Sequence, residues 1–314
     1  MLLCVIAFVL YVYLVVLPSP TEFIQNQFVD IKKGSSLGVI ADTLESKGVI
    51  SSSTFFKIGV YLAGRQEDLK SGMYFFAEPG RMDEVMRTII NGSFSVPTER
   101  VTILEGHAAY QFSDTVADKL PFVNSSELLA LIEKEQKEGY LYPDTYFFPQ
   151  DADAADVIRI MEKNFNKKIE PYQSQIQNSK YTLDEILAMA SLVENEAGSA
   201  SYETKRNVAG VLWKRVDVGI PIQADAVFSF IYQTHLPRVL LRHLEVESPY
   251  NLYTNKGLPP GPIGNPSIDS IRAALDPVIT ENLFYLTGFD GKFYYAQTNA
   301  GHEQNRRLHL NYRN

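Results

Sequence analysis

Two glutamates, Glu194 and Glu196, stand two positions apart in the stretch Ile186–Ala200, ILAMASLVENEAGSA. The segment opens at Thr182-Leu183-Asp184-Glu185, a capping box in which Thr182 and Glu185 satisfy each other's orphan amides. Leu183, Ile186, Leu187, Ala190, Val193 and Ala197 then recur at helical spacing, with Met189 and Leu192 covering much of the remainder. Such a helix is buried nearly all round, and Gly198 ends it. At about 100° per residue, Glu194 falls on the apolar face and Glu196 across from it, beside Met189. One of the two is therefore buried whichever face meets the core. A buried carboxyl without a cationic partner stays protonated, which is what a general acid at neutral pH requires. The alternative is a structural ion pair with Lys205, Arg206 or Arg215. The residues alone leave both readings open.

The rest of the composition narrows the chemistry. A single cysteine, Cys4, excludes a disulfide within the chain and a cysteine-ligated metal site. The five histidines show no HExxH-type pairing, so no metal and no cofactor is expected. A formal charge of −8 argues against a nucleic-acid partner. At 314 residues the chain exceeds what one core usually organises.

The elements that must position the glutamates follow from pattern. MLLCVIAFVLYVYLVVL, residues 1–17, carries no charge and ends at Pro18, which predicts a retained transmembrane anchor over residues 1–18. It lacks the basic start and small-residue cleavage site of a signal peptide. No Lys or Arg precedes it to set its orientation, and a short basic tail ahead of Met1 would supply that signal. Residues 22–95 read as strand, helix, helix, strand: Val29 and Ile31 alternate, and Ser35 or Ser36 caps a helix through Leu37, Ile40, Ala41 and Leu44. SGMYFF is the second strand, and a helix from Met82 to Ile90 closes at Asn91-Gly92. This βααβ order resembles a LysM-like glycan-binding module, with a plain adaptor domain as the rival. From residue 98 onward the pattern predicts a mixed α+β domain, with a strand at Val101–Leu104, a turn at Glu105-Gly106 and a helix. In KEGYLYPDTYFFP, Tyr140, Tyr142, Tyr146, Phe147 and Phe148 crowd a Pro143-Asp144 turn. That is either a rigid aromatic corner or a saccharide platform with Asp144 as a hydrogen-bonding group.

Read together and in order, EGYLYPDTYFF, ASLVENEA, VAGVLWKR, IQADAV, GLPPGPIGNPS and AQTNAGHEQN resemble the MltG, or YceG-like, family from Val29 to Asn305. The resemblance implies a single-pass protein of the inner (cytoplasmic) membrane whose globular part faces the periplasm or extracytoplasmic space. It implies endolytic lytic transglycosylation of peptidoglycan, cutting the β-1,4 bond between N-acetylmuramic acid and N-acetylglucosamine to leave 1,6-anhydro ends. It carries the catalytic role to Glu196, with Glu194 as supporting partner or alternative acid. Gln223 and Asp225 then bind sugar hydroxyls or orient Glu196, and Asn251 and Tyr253 flank the cleft beside the rigid Gly257–Pro266 loop. Two departures bear on the sugar subsites: Ala226 replaces the usual proline after Asp225, and Leu252 breaks an Asn-Thr-Tyr pattern. His302 and Asn305 are either substrate contacts or members of a surface loop. Peptidoglycan synthases are conceivable partners. A non-catalytic scaffold that binds peptidoglycan is the second reading. An aminodeoxychorismate lyase is the third, for which a pyridoxal phosphate site is wanting.

Overall fold

A computed structural model describes Pro20 and residues 27–78, 80–92 and 96–310. The anchor expected over residues 1–18 lies outside the described residues. Among these, no helix is long and apolar enough to cross a membrane. The chain is α+β and divides into two compact units, residues 1–98 with 149–151, and residues 99–148 with 152–314.

The first unit follows the alternation and capping of its sequence. Strand β1 (Gln27–Ile31) pairs antiparallel with β2 (Gly72–Phe76), Val29 facing Tyr74 across the ladder. Between them run α1 (Leu37–Ser46) and α2 (Ser53–Leu62), each started by a serine side chain accepting an amide of the first turn, Ser36 from Val39 and Ser52 from Phe55. Helix α3 (Met82–Asn91) follows. Val29, Ile40, Leu44, Phe56, Val60, Tyr74, Val85 and Ile89 form its core. The buried Tyr74 hydroxyl is satisfied by donating to the carbonyls of Lys70 (2.8 Å) and Ile89 (3.2 Å).

The second unit holds the glutamate helix. Strand β3 spans Thr98–Thr102, three residues earlier than the apolar run Val101–Leu104 indicates. Pairing decides the difference. β3 is hydrogen-bonded to β4 (Thr145–Pro149), the hydroxyls of Thr102 and Thr145 meet at 2.9 Å, and the polar residues Thr98–Arg100 belong to the strand. Helices α4 (Ala109–Ala117), α5 (Ser125–Lys134), α6 (Ala154–Ile169) and α7 (Gln173–Gln177) follow around these strands.

Helix α8 (Leu183–Ala197) is buried at every position from Ile186 to Glu194 and carries the Thr182–Glu185 capping box. Against it pack α9 (Tyr202–Asp217) and, beyond the short α10 (Ala226–Ile231), α11 (Ile268–Leu275). The hairpin β5 (Phe284–Thr287) and β6 (Phe293–Ala296), and α12 (Asn299–His309), complete the unit. The Gly257–Pro266 loop is tied to α8 where the Ile263 amide donates to Ser191 Oγ at 3.0 Å. Fully buried Asn265 accepts the amides of Gly139 (2.9 Å) and Leu141 (3.0 Å), and donates to Glu138 Oε1 (2.8 Å). Burial pushes the Glu138 carboxyl up to about 7, although Ala109, Asn265 and Gly139 each donate to it.

Close approach of backbone to backbone requires glycine at one place in α9. A Cβ added to Gly210 would stand 2.1 Å from the Val278 carbonyl oxygen. Gly210→Ala gains roughly 1 kcal/mol of helix propensity but forces that segment apart, at a cost of about 1–3 kcal/mol. The expected net effect is a lower midpoint in urea denaturation. Glu138 sets a pH dependence. A carboxyl whose pKa rises on folding stabilises the native state below its unfolded pKa, and that contribution is lost as pH rises through the folded value. The Glu138 contribution to stability therefore falls between about pH 4.5 and about pH 7, and Glu138→Gln removes this component, read as a more positive slope of stability with pH in denaturation curves taken across that window.

Candidate active site

The last turn of α8 sends its two glutamates into different surroundings. Glu194 is 6% exposed. Its Oε2 accepts from the Ser267 amide at 3.0 Å, the Ser267 hydroxyl, and the Ser270 hydroxyl at 2.6 Å. Lys205 of α9 lies 3.4 Å away and donates as well to Ser267 Oγ at 3.2 Å. The ion pair expected for one glutamate is therefore the Glu194–Lys205 pair. Arg206 instead holds Glu203 and Asp276, and Arg215 binds carbonyls. Gly198 gives this knot room, since a Cβ there would sit 2.8 Å from Glu194 Oε1. The Glu194 carboxylate is held at the joint of α8, α9 and α11 and does not line the cleft into which Glu196 faces.

Glu196 lies half-buried on the floor of a cleft of about 630 Å³. Tyr285 of β5 donates its hydroxyl to Glu196 Oε2 at 2.9 Å, the one hydrogen bond to this carboxyl among the described residues. Burial raises the Glu196 pKa and the nearby Asp225 carboxylate adds to the rise, while the Tyr285 hydroxyl and the Arg215 charge oppose it. The net direction is upward, which favours the protonated form.

Arg215 builds the walls. Sitting in the last turn of α9, its guanidinium donates to the carbonyls of Leu283 (2.6 Å), Ile222 (2.5 Å) and Pro221 (3.4 Å) and lies over the Phe284 ring at 5.2 Å. One side chain thereby fixes the segment before Gln223 and the start of β5, which carries Tyr285. Desolvation lowers the Arg215 pKa without removing its charge. Gln223 has φ 57°, a left-handed conformation uncommon for a residue with a side chain, and its amide donates to the Leu252 carbonyl at 2.9 Å. The backbone turns there so that exposed Gln223 and Asp225 both line the cleft. Asp225 Oδ1 accepts the Tyr253 hydroxyl at 2.5 Å, and burial, with that hydrogen bond added to it, holds the Tyr253 phenol well above its ordinary pKa.

The structure thus brings Glu196, Gln223, Asp225 and Tyr253 to one cleft. Asn251 is fully buried behind it. It donates to the Leu244 and Val246 carbonyls (2.9 Å each) and accepts the Tyr253 amide (3.0 Å), so it shapes the loop that presents Tyr253. Asp144 does not line the cleft. It receives Asn164 Nδ2 at 3.1 Å and pairs with Lys168 at 3.5 Å beside β4. Leu252 is turned into the core, and Ala226 occupies the first position of α10, where proline fits without loss of a helical hydrogen bond. Neither departure from the family pattern faces the cleft floor. His302 and Arg306 of α12 line the cleft, whereas Asn305 donates to the Tyr295 carbonyl at 3.1 Å. Tyr285 and the wall-building use of Arg215 were not legible in sequence. No motif marks the segment of Tyr285, and the Glu196–Tyr285 contact joins residues 89 apart.

Residues 29–308 match the YceG-like family, and the chain belongs to it. It is 29% identical over 311 residues to a Bacillus subtilis protein named endolytic murein transglycosylase, covering 91% of this chain and 85% of that one. A Streptococcus pneumoniae protein of the same name is 27% identical over 90% of this chain, which spans 58% of that relative's length. A crystal structure of a yceG-like protein from Listeria monocytogenes superposes with a TM-score of 0.60 at 28% identity, covering 89% of this chain and 99% of that one.

Removing the Tyr285 hydroxyl takes away the hydrogen bond that favours ionised Glu196. Tyr285→Phe is expected to shift the Glu196 titration further upward, read by carbon-13 NMR of glutamate-labelled protein and assigned by its loss in Glu196→Gln.

Proposed function

We propose that this chain cuts peptidoglycan glycan strands internally by lytic transglycosylation, with Glu196 as the one proton-handling group. The chain is an enzyme of the lyase class, as its relatives' names imply. One observation carries the assignment of the acid. Within a single helical turn, Glu194 is buried and held by an ammonium, two hydroxyls and an amide, while Glu196 faces a cleft with one hydrogen bond.

The chemistry needs a single carboxyl. Protonated Glu196 gives its proton to the β-1,4 glycosidic oxygen, and the bond from that oxygen to the muramic C1 breaks with its electron pair moving to oxygen. The resulting carboxylate takes the proton of the muramic C6 hydroxyl, whose oxygen bonds to C1 and closes a 1,6-anhydro ring. Glu196 ends protonated as it began, and no water is consumed. Hydrolytic glycosidases divide these tasks between two carboxyls flanking the bond. Here Asp225, held by Tyr253, and Gln223 bind hydroxyls and fix the ring over Glu196, and Asp225 also keeps the Glu196 proton in place through like-charge repulsion. The residues 1–18 anchor the enzyme as a single pass in the cytoplasmic membrane with both units on the wall side. The βααβ unit is a LysM-like module that binds the same polymer, and peptidoglycan synthases are its natural neighbours.

Glu196→Gln is expected to keep the fold while release of anhydro-ended fragments from purified peptidoglycan falls by about 100- to 10,000-fold. Mass spectrometry of the digest and circular dichroism of the variant check both halves. Glu194→Gln leaves Lys205 buried without a counter-charge, so it is expected to lower stability by about 3–5 kcal/mol. Undiminished release by Glu196→Gln would refute the assignment. Sedimentation with peptidoglycan and no soluble products from wild type would favour the non-catalytic scaffold.

A further inference from the structure

A second cavity, of about 450 Å³, opens in the catalytic unit and is not used by the chemistry above. Its volume falls in the range of about 300–1,000 Å³ that ligand pockets occupy. Four half-buried rings line it: Tyr110 of α4, Tyr140, Phe230 of α10 and Tyr250. Phe230 and Tyr250 form a tilted pair with centroids 5.0 Å apart. Between the rings stand two exposed glutamines, Gln136 and Gln233, with φ 53° and 48°. Among the described residues the left-handed non-glycine positions are Gln136, Gln223 and Gln233. One of them lines the Glu196 cleft and the other two line this cavity. Gln136 and Gln233 each follow a helix end, where the left-handed turn closes α5 and α10: the Lys137 amide donates to the Ile132 carbonyl at 2.9 Å and the Thr234 amide to the Ser229 carbonyl at 3.1 Å, which fixes the place from which each glutamine enters the cavity lining.

Apolar ring faces interleaved with amides and carboxyls suit a pyranose. Its axial C–H face stacks on an aromatic ring and its equatorial hydroxyls reach Gln and Glu side chains. Gln233 Nε2 already touches Glu133 Oε1 at 3.2 Å, an amide–carboxylate pair ready to accept and donate to one hydroxyl. The Pro260–Pro262 corner closes the far wall with a stiff backbone.

The placement relative to Glu196 adds to this. Asp184, in the first turn of α8, lines the second cavity, and Glu196 lies twelve residues further along the same helix, about 18 Å at 1.5 Å per residue. No residue lines both cavities, but neighbouring stretches of chain serve the two. Asp225 and Tyr253 face the cleft, while Phe230 and Tyr250, five residues on and three residues back, face the second cavity. A linear saccharide of a few rings spans that separation.

We infer that this cavity is a second saccharide subsite, holding the same glycan strand at a distance from the bond that is cut. The inference rests on the glycan reading proposed above. It explains internal cutting, because a chain end too short to fill both places is held at one only.

The test uses the full chain in detergent and β-1,4-linked N-acetylglucosamine oligomers as the probe, with binding read by calorimetry. The substitutions are Gln136→Gly and Gln233→Gly together, which remove the side chains while relieving the left-handed backbone, and separately Tyr110→Ala. Hexamer affinity is expected to fall about tenfold in each variant, the loss of one or two net hydrogen bonds or of one stacked ring. Dimer binding at the Glu196 cleft stays unchanged. Unchanged hexamer affinity in both variants would overturn the subsite, as would a cavity that takes a primary-amine peptide, drawn by Glu133, Glu138 and Asp184, and no sugar. Failure of the two readings is separable. Variant-sensitive hexamer binding without any scission of peptidoglycan by wild type keeps the subsite and removes the proposed reaction. Normal scission with variant-insensitive binding removes the subsite alone.

Discussion

The buried pair of Glu194 and Lys205, closed by Ser267 and Ser270, is the interaction on which the catalytic unit depends. Two charges withdrawn from water are tolerated only when every remaining lone pair and proton is matched. Here three donors besides the ammonium converge on the Glu194 carboxylate. The consequence is geometric. The C-terminal turn of α8 is pinned to α9 and to the N-terminus of α11, so the orientation of Glu196, two residues on, is fixed by atoms it never touches. A general acid has to sit within hydrogen-bonding reach of one particular oxygen, and a frayed helix end would not hold it there.

Arg215 does for the cleft walls what Glu194 does for its floor. Its carbonyl contacts join the turn before Gln223 to the strand of Tyr285. A lysine at this position would offer a point charge instead of a planar fork and could not serve both segments at once. The same charge also acts on the acid itself, opposing the burial and the Asp225 repulsion that raise the Glu196 pKa. The upward direction survives because Arg215 spends its hydrogen bonds on backbone carbonyls and forms no ion pair with Glu196 among the described residues.

Much of this was legible before the structure. The capping box at Thr182, the period of α8, the βααβ order and the presence of buried carboxyls near Gly198 all follow from local chemistry, because capping and amphipathic period act within a few residues. The helical wheel indicated that one glutamate is buried and ranked Glu194 as the deeper. It could not show what holds Glu194 in place, since its hydroxyl and amide donors come from Ser267 and Ser270, more than 70 residues away. Strand β3 began earlier than its apolar run because pairing with β4 outweighed propensity. Asp144 was open in sequence between an aromatic corner and a saccharide platform, and the family resemblance placed Asn251 at the cleft. Only tertiary contacts reveal that one pairs with Lys168 and the other folds a turn.

The claim at the centre is that one carboxyl moves a proton out and back while a sugar hydroxyl, and not water, takes the broken bond. Digesting peptidoglycan with the full chain in oxygen-18-enriched water, followed by mass spectrometry of the released glycans, reads that claim directly. The account predicts fragments ending in 1,6-anhydromuramic acid with no heavy oxygen at the new end. Reducing ends carrying the label would contradict it.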